Sequence, residues 1–366
     1  MSAGFDAAFG RGGTWRAAVD GAARALPAAD GRDRIGIVYV DEPMSQALDS
    51  IVDELRRRTA VATWLGAVSS GIFGGEGSSL GDGGIAVMLT PWPTRHVRFF
   101  GDGARLAPDL GAAPGARPFA LVHGDERLRE GLPDHALAGL APAFVFGGLT
   151  ASQRAPMRIL GQPAESDLGG LVLDPAIAVV VGISQGCAPI GPEHAVTAAS
   201  GAWLGGLDGR PAFEVLAEEM GEILALQPER VTGYIHIALP ADTVDHAPFQ
   251  VRPILALDPR NGQIATVGPL RRGERLRFVK RDAEAADQSL DAMLRDLRRQ
   301  LSGRPPRAGL YVTSSPRTRA LYEDPASELR RLHRALGPLP LIGFLSSGEI
   351  FDDRLHDWSS LLALFP

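Results

Sequence analysis

"LIGFLSSGEI" (341–350) and "LGAVSSGIF" (65–73) carry one string, Gly-x-x-Ser-Ser-Gly, near opposite ends of a 366-residue chain. Gly66, Ser69, Ser70 and Gly71 fall on Gly343, Ser346, Ser347 and Gly348. The chain holds 44 glycines, so a single match is weak and the flanks must decide. Before the first string, "IGIVYV" (35–40) reads as a β-branched strand. "MSQALDSIVDELRRR" (44–58) places Leu48, Ile51, Val52 and Leu55 on one helical face and ends on a basic turn. "GIAVMLT" (84–90) reads as a closing strand. The second string has the same neighbours. "GLYVTS" (309–314) is a strand, Asp324-Pro325 opens a helix with the stripe Leu329, Leu332 and Leu336, and Gly337-Pro338 ends it. "SSLLALF" (359–365) closes the unit.

A degraded third copy lies between them. "FALVHGDE" (119–126) is a strand, "AFVFGGLTASQR" (143–154) puts Gly147 at the place of Gly66 and Gly343, and "GGLVLD" (169–174) closes it. Here Thr150-Ala151-Ser152 stands for Ser-Ser-Gly. The expected fold class is therefore α/β (α+β): layered mixed sheets with helices, built from internally repeated α/β units. The expected domain division is an N-terminal helix or extension at 1–32, one domain at 33–215 and a second at 216–366.

Composition narrows the function. The chain is 45% hydrophobic and 22% charged, an ordinary globular balance that allows two domains. A net charge of -6 disfavours nucleic acid as a partner. The N-terminus "MSAGFDAAFGRGGTW" is not a signal peptide, and "LGGLVLDPAIAVVVGIS" (168–184) is interrupted by Asp174 and Pro175, so membrane insertion is not expected. One cysteine, Cys187, allows no intrachain disulfide. The expectation is a cytoplasmic protein without a metal or other cofactor.

The most distinctive stretch is "AIAVVVGISQGCAPIGP" (176–192). Gly182-Ile183-Ser184-Gln185-Gly186 fits the Gly-x-Ser-x-Gly elbow of hydrolases, but Pro189 and Pro192 deny it the helix that must follow. Cys187 with His194 as a base is a second nucleophile reading; burial as a small packed hydrophobe is the plainer one. "PAFEVLAEEMGEILAL" (211–226) and "RDAEAADQSLDAMLRDLRRQL" (281–301) read as helices, the latter capped by Asp282, and "GYIHIALP" (233–240) as a strand.

Five stretches, in order, resemble the FIST sensory family: "SQGCAPIGP" (184–192), "YIHIALP" (234–240), "LRFVKRDAEAA" (276–286), "LIGFLSSGEI" (341–350) and "LHDWSSLLALF" (355–365). The resemblance covers the chain from about residue 33 onward. It implies an N-terminal and a C-terminal FIST domain, and a small-ligand sensory role in bacterial signal transduction rather than an enzyme. Amino acids or other small carboxylates are the implied ligands, and a separate signalling protein is the implied partner. Two alternatives accompany it: a haem-binding nitric oxide sensor, with His356 as the iron ligand, and an enzyme using Cys187 or Ser184. The chain departs from the family at "TSSPRTRALYED" (313–324), where many members carry a cysteine and glycine-rich stretch.

Ser-Gly turns at strand ends leave amides and hydroxyls free for an anion. The expected ligand site is therefore a pocket between the two halves. Ser346, Ser347, Gly348 and Glu349 line it, with Gln185, Cys187 and Arg281 nearby. Ser69 and Ser70 form the matching turn of the first copy. Arg281 enters as a carboxylate partner only through the family resemblance.

Overall fold

The three glycine-bearing stretches form three copies of one unit. The computed structural model describes residues 4–28, 30–75, 77–101, 117–130, 137, 139–152, 167–221, 228–240, 249–322, 324, 326–352 and 354–366. In each copy a leading strand runs parallel to the glycine strand and antiparallel to a closing strand. These are Ile35–Asp41, Thr63–Ser69 and Gly84–Leu89 in the first copy. They are Phe119–Asp125, Phe144–Thr150 and Leu168–Leu173 in the middle copy. They are Ala308–Ser314, Leu341–Phe351 and Ser360–Phe365 in the last. The registers coincide: Gly66 lies opposite Val38, Gly147 opposite Val122 and Gly343 opposite Tyr311. A Cβ at Gly147 or Gly343 would stand 1.9 Å from the carbonyl oxygen of Val122 or Tyr311. Glycine is required there by close backbone approach, which is why it survives in the copy that lost Ser-Ser-Gly.

Two sheets stack in this part of the molecule. A four-stranded sheet runs Asp6–Arg11, Gly84–Leu89, Ile35–Asp41, Thr63–Ser69. An eleven-stranded sheet holds the middle and last copies side by side, joined by their antiparallel glycine strands. Strand alternation sorts the side chains. Val38 and Val40 face the helices Trp15–Ala25 and Leu48–Thr59, while Ile37 and Tyr39 pack with Ile342 and Phe344 between the sheets. Tyr39 Oη lies 3.0 Å from His123 Nε2 inside this layer. The two residues occupy equivalent positions, each one past the residue that faces the repeat glycine. Burial drops the His123 imidazole to about 3, so it is neutral here.

Several expectations change in detail. The N-terminal extension holds a strand, Asp6–Arg11, paired with Gly84–Leu89, as well as a helix capped by Thr14. The helix expected at 44–58 spans Leu48–Thr59, because Pro43 belongs to a preceding 3-10 segment, Glu42–Ala47. The departure segment is itself helical over Ser315–Leu321, with Pro316 in its first turn where no amide partner is needed. The following helix is Ser327–Leu336; Pro325 lies outside the described residues. Residues 222–226 of the helix expected at 211–226 also lie outside them, and Ala212–Met220 is helical.

The chain separates into two compact units, one of Met1–Ile183 with Met293–Pro366 and one of Ser184–Ala292. The second is a six-stranded antiparallel barrel. Its strands run Arg275–Lys280, His194–Ser200, Trp203–Leu207, Gln263–Thr266, Gln250–Asp258 and Ile235–Leu239, and the last pairs with the first. Closure removes the strand edges. Leu204, Ile237, Ile254, Ile264 and Phe278 fill the interior. Asp208-Gly209, with φ of 52 and 82, makes a tight hairpin turn to Arg210–Pro211.

Candidate functional site

The ends of the three glycine strands converge. Ser69 Oγ donates to the carbonyl of Leu345 at 2.6 Å, Ser70 N–H donates to Ala151 at 2.7 Å, and Ala151 N–H donates to Leu345 at 3.2 Å. The first Ser-Ser-Gly is the bend that carries the chain from one sheet to the other, since Ile72–Gly74 pairs with Ile342–Phe344. The second is not the turn that sequence suggests. Ser346–Gly348 is a bulge inside the eleven-residue strand Leu341–Phe351, because Phe144–Thr150 and Arg354–His356 continue to pair with it.

The bulge brings Ser346 against Glu349, whose other oxygen accepts the Ser359 N–H at 2.9 Å. Glu349 is fully buried. Burial pushes its carboxyl up to about 8, against the lowering effect of the Ser346 and Ser359 bonds. The neighbouring Ser347 carries a buried hydroxyl with no hydrogen-bond partner among the described residues, while its carbonyl accepts from Arg129 at 2.9 Å.

Beside this acid lies a buried ion pair that sequence reading missed. Arg317, on the helix of the departure segment, is 0% exposed and Glu328 is 2% exposed. Arg317 Nε and Nη2 reach Glu328 Oε1 at 2.9 and 2.7 Å, and Thr313 Oγ1 donates to Glu328 Oε2 at 3.0 Å. Burial disfavours the guanidinium charge, but Glu328 outweighs it and Arg317 stays a cation. Its charge also acts on Glu349. Thr318 adds a second buried hydroxyl without a partner among the described residues. A buried cation, a neutral carboxylic acid and unmatched hydroxyls together can bind a polar molecule that carries a carboxylate. The signal in the sequence was "SPRTRA", where an arginine in a helix's first turns reads as surface charge.

Of the remaining expected residues, Ser184, Gln185, Cys187, His194 and Arg281 belong to the barrel unit and His356 to the other. Gln185 spends its side-chain amide on Phe249, donating to its carbonyl and accepting its N–H at 2.8 Å. Cys187 is half-buried rather than buried, because it follows Gly186 in a left-handed bend (φ 64). Arg281 is buried, with Nη1 3.4 Å from His236 Nε2. Ser184 Oγ lies 3.1 Å from Ser289 Oγ, and no helix follows it. His194 engages Asp208 through Nδ1 and Glu219 through Nε2, each at 2.6 Å, which leaves no ring nitrogen for Cys187. His356 is buried opposite Glu349 in the strand pair, its ring edge-on to Phe351 at 6.3 Å. Among the described residues no group of three His, Cys, Asp or Glu side chains could hold a metal, and no helix is long and apolar enough to cross a membrane.

Residues 34–210 match the FIST N domain and residues 212–352 match the FIST C domain. An uncharacterised protein of Mycobacterium tuberculosis is 29% identical over 377 aligned positions, covering 96% of each chain. An uncharacterised protein of Mycobacterium bovis is 31% identical over 199 positions, covering 52% of this chain and 51% of its own.

Proposed function

Since this chain belongs to the FIST family, whose domains are sensory domains of signal transduction, we propose that it is a cytoplasmic ligand-binding sensor. It acts through a separate signalling protein and not as an enzyme. The observation that carries this reading is Glu349, fully buried, pushed up to about 8, and set next to the buried Arg317–Glu328 pair and the Ser347 hydroxyl, which has no partner among the described residues. Buried polar groups are normally satisfied, and departures from that rule gather at binding sites.

The ligand is an amino acid or another small carboxylate. Its carboxylate takes the Arg317 fork in competition with Glu328, and the hydroxyls of Ser346 and Ser347 complete the polar contacts. An ammonium group would ionise Glu349 and pair with it. Exchange of partners at Arg317 loosens the helix Ser315–Leu321 from the strand ends, and this shift is the signal.

Thermal-shift screening with amino acids and small carboxylates tests the reading. It predicts a compound that raises the melting temperature of the wild type and loses that effect in Ser347→Ala, while the unliganded variant melts normally. A complete screen without a shift, or a shift untouched by Ser347→Ala, overturns it.

A further inference from the structure

Three large hydrophobic side chains are exposed among the described residues: Trp203 at 40%, Leu255 at 57% and Val267 at 49%. All three lie on the barrel unit: Trp203 and Leu255 on the strands that flank Gln263–Thr266, and Val267 just past the end of that strand. Trp203 pairs with Ala265, and Ala256 pairs with the same Ala265 from the other side. Leu204, Ile264 and Ile254 point into the core, so by alternation Trp203 and Leu255 face out, on either side of the strand that holds the buried Ala265. A register shift between Ile254 and Ala256 supplies the bulge that turns Leu255 outward. Val267 follows Thr266, which faces Ile254 across the strands. The result is one contiguous apolar face rather than three scattered side chains.

A basic rim borders this face. Arg252 Nη1 donates to the Pro269 carbonyl at 2.9 Å, two residues past Val267. Arg271 and Arg272 are exposed on the same loop. That loop is tied to the Trp203 hairpin by Leu270 N–H to Gly201 at 3.1 Å and Gly273 N–H to Val196 at 2.8 Å. Elsewhere on this unit Arg210 pairs with Glu218, and Arg275 and Arg277 pair with Glu193. Arg252, Arg271 and Arg272 form no ion pair among the described residues. Asp258, at the far end of the strand, spends its carboxylate on Asn261.

We infer that this face is a docking surface for an acidic amphipathic segment of a partner protein. Closed strands offer no edge for β-augmentation, so the contact is made by side chains: apolar residues on Trp203, Leu255 and Val267, and carboxylates on the three arginines. A second copy would set basic rim against basic rim, and the chain's net charge of -6 opposes adsorption to an anionic lipid surface. The inference stands apart from the ligand site, whose failure would leave it intact.

The test is fluorescence anisotropy of the full chain with a labelled acidic amphipathic helical peptide of about 16 residues, leucines on one face and glutamates on the other. A lysine counterpart serves as the control. The expected result is salt-sensitive binding of the acidic peptide alone, weakened about tenfold or more by Leu255→Ser and by Arg272→Glu. Both are surface substitutions, and circular dichroism confirms that the variants fold. Absence of binding, equal binding of the lysine peptide, or indifference to the variants overturns the inference. So does binding to phosphatidylglycerol vesicles that the variants abolish, which assigns the face to membrane. So does a dimer in sedimentation that the variants dissociate, which assigns it to a second copy.

Discussion

Ser69 Oγ donates to the carbonyl oxygen of Leu345 at 2.6 Å, across 276 positions of sequence, and thereby joins the first repeat to the last. Ser69 is fully buried. Ser69→Ala is expected to cost about 1–3 kcal/mol in urea unfolding, the penalty for a lost buried bond. Ser70 bonds through its backbone and is only part-buried, so Ser70→Ala should cost less than Ser69→Ala. Equal costs would mean that the hydroxyl contact does not join the repeats.

The repeat glycines make a sharper prediction. Gly147→Ala and Gly343→Ala each force a methyl to 1.9 Å from a backbone carbonyl, which the sheet cannot yield without breaking register. Each should destabilise by more than about 3 kcal/mol or abolish folding. Gly348→Ala meets only the tip of the Leu355 side chain, at 2.8 Å, and should be milder. Soluble yield and thermal melts compare the three.

Removing one member of the buried ion pair strands the other. Arg317→Met should cost about 3–5 kcal/mol, since Glu328 is then buried without its cation. Adding Glu328→Leu should recover a substantial part of the loss. A double variant less stable than Arg317→Met would show that the two side chains do not act as a pair.

Glu349 gives the chain a pH dependence of known sign. Its folded pKa is raised from 4.5 to about 8, so folding favours the protonated acid. That contribution is full below the unfolded carboxyl's pKa and is lost as pH rises through about 8. Stability should therefore fall from pH 5 to pH 9 in the wild type and fall less in Glu349→Gln. Urea midpoints across this range measure the difference, and identical profiles would place the titration elsewhere.

The repeated unit was legible because its signal is steric and local. Gly147 and Gly343 each face a backbone too close for a side chain, Gly66 holds the same register position, and each of the three sits between a leading strand and a closing apolar run. The stripe Leu48, Ile51, Val52 and Leu55 was legible for the same reason, and all four are buried. The barrel was not legible. Its strands are short, half-exposed and bulged, with register shifts between Val196 and Ala199 and between Ile254 and Ala256 that interrupt the alternating pattern. Arg317 was hidden because burial depends on Glu328 eleven positions away, which no local pattern encodes. Arg281, singled out by resemblance, is buried beside His236 in the other unit.

Native mass spectrometry of gently purified protein tests the ligand account most directly, because a retained small molecule appears as added mass. The account predicts wild-type protein carrying a small carboxylate or amino acid, and Ser347→Ala running at its bare mass while keeping the wild-type charge-state envelope of a folded chain. Wild type at bare mass even after incubation with the compounds of the thermal-shift screen, or an adduct equally abundant in Ser347→Ala, would contradict it.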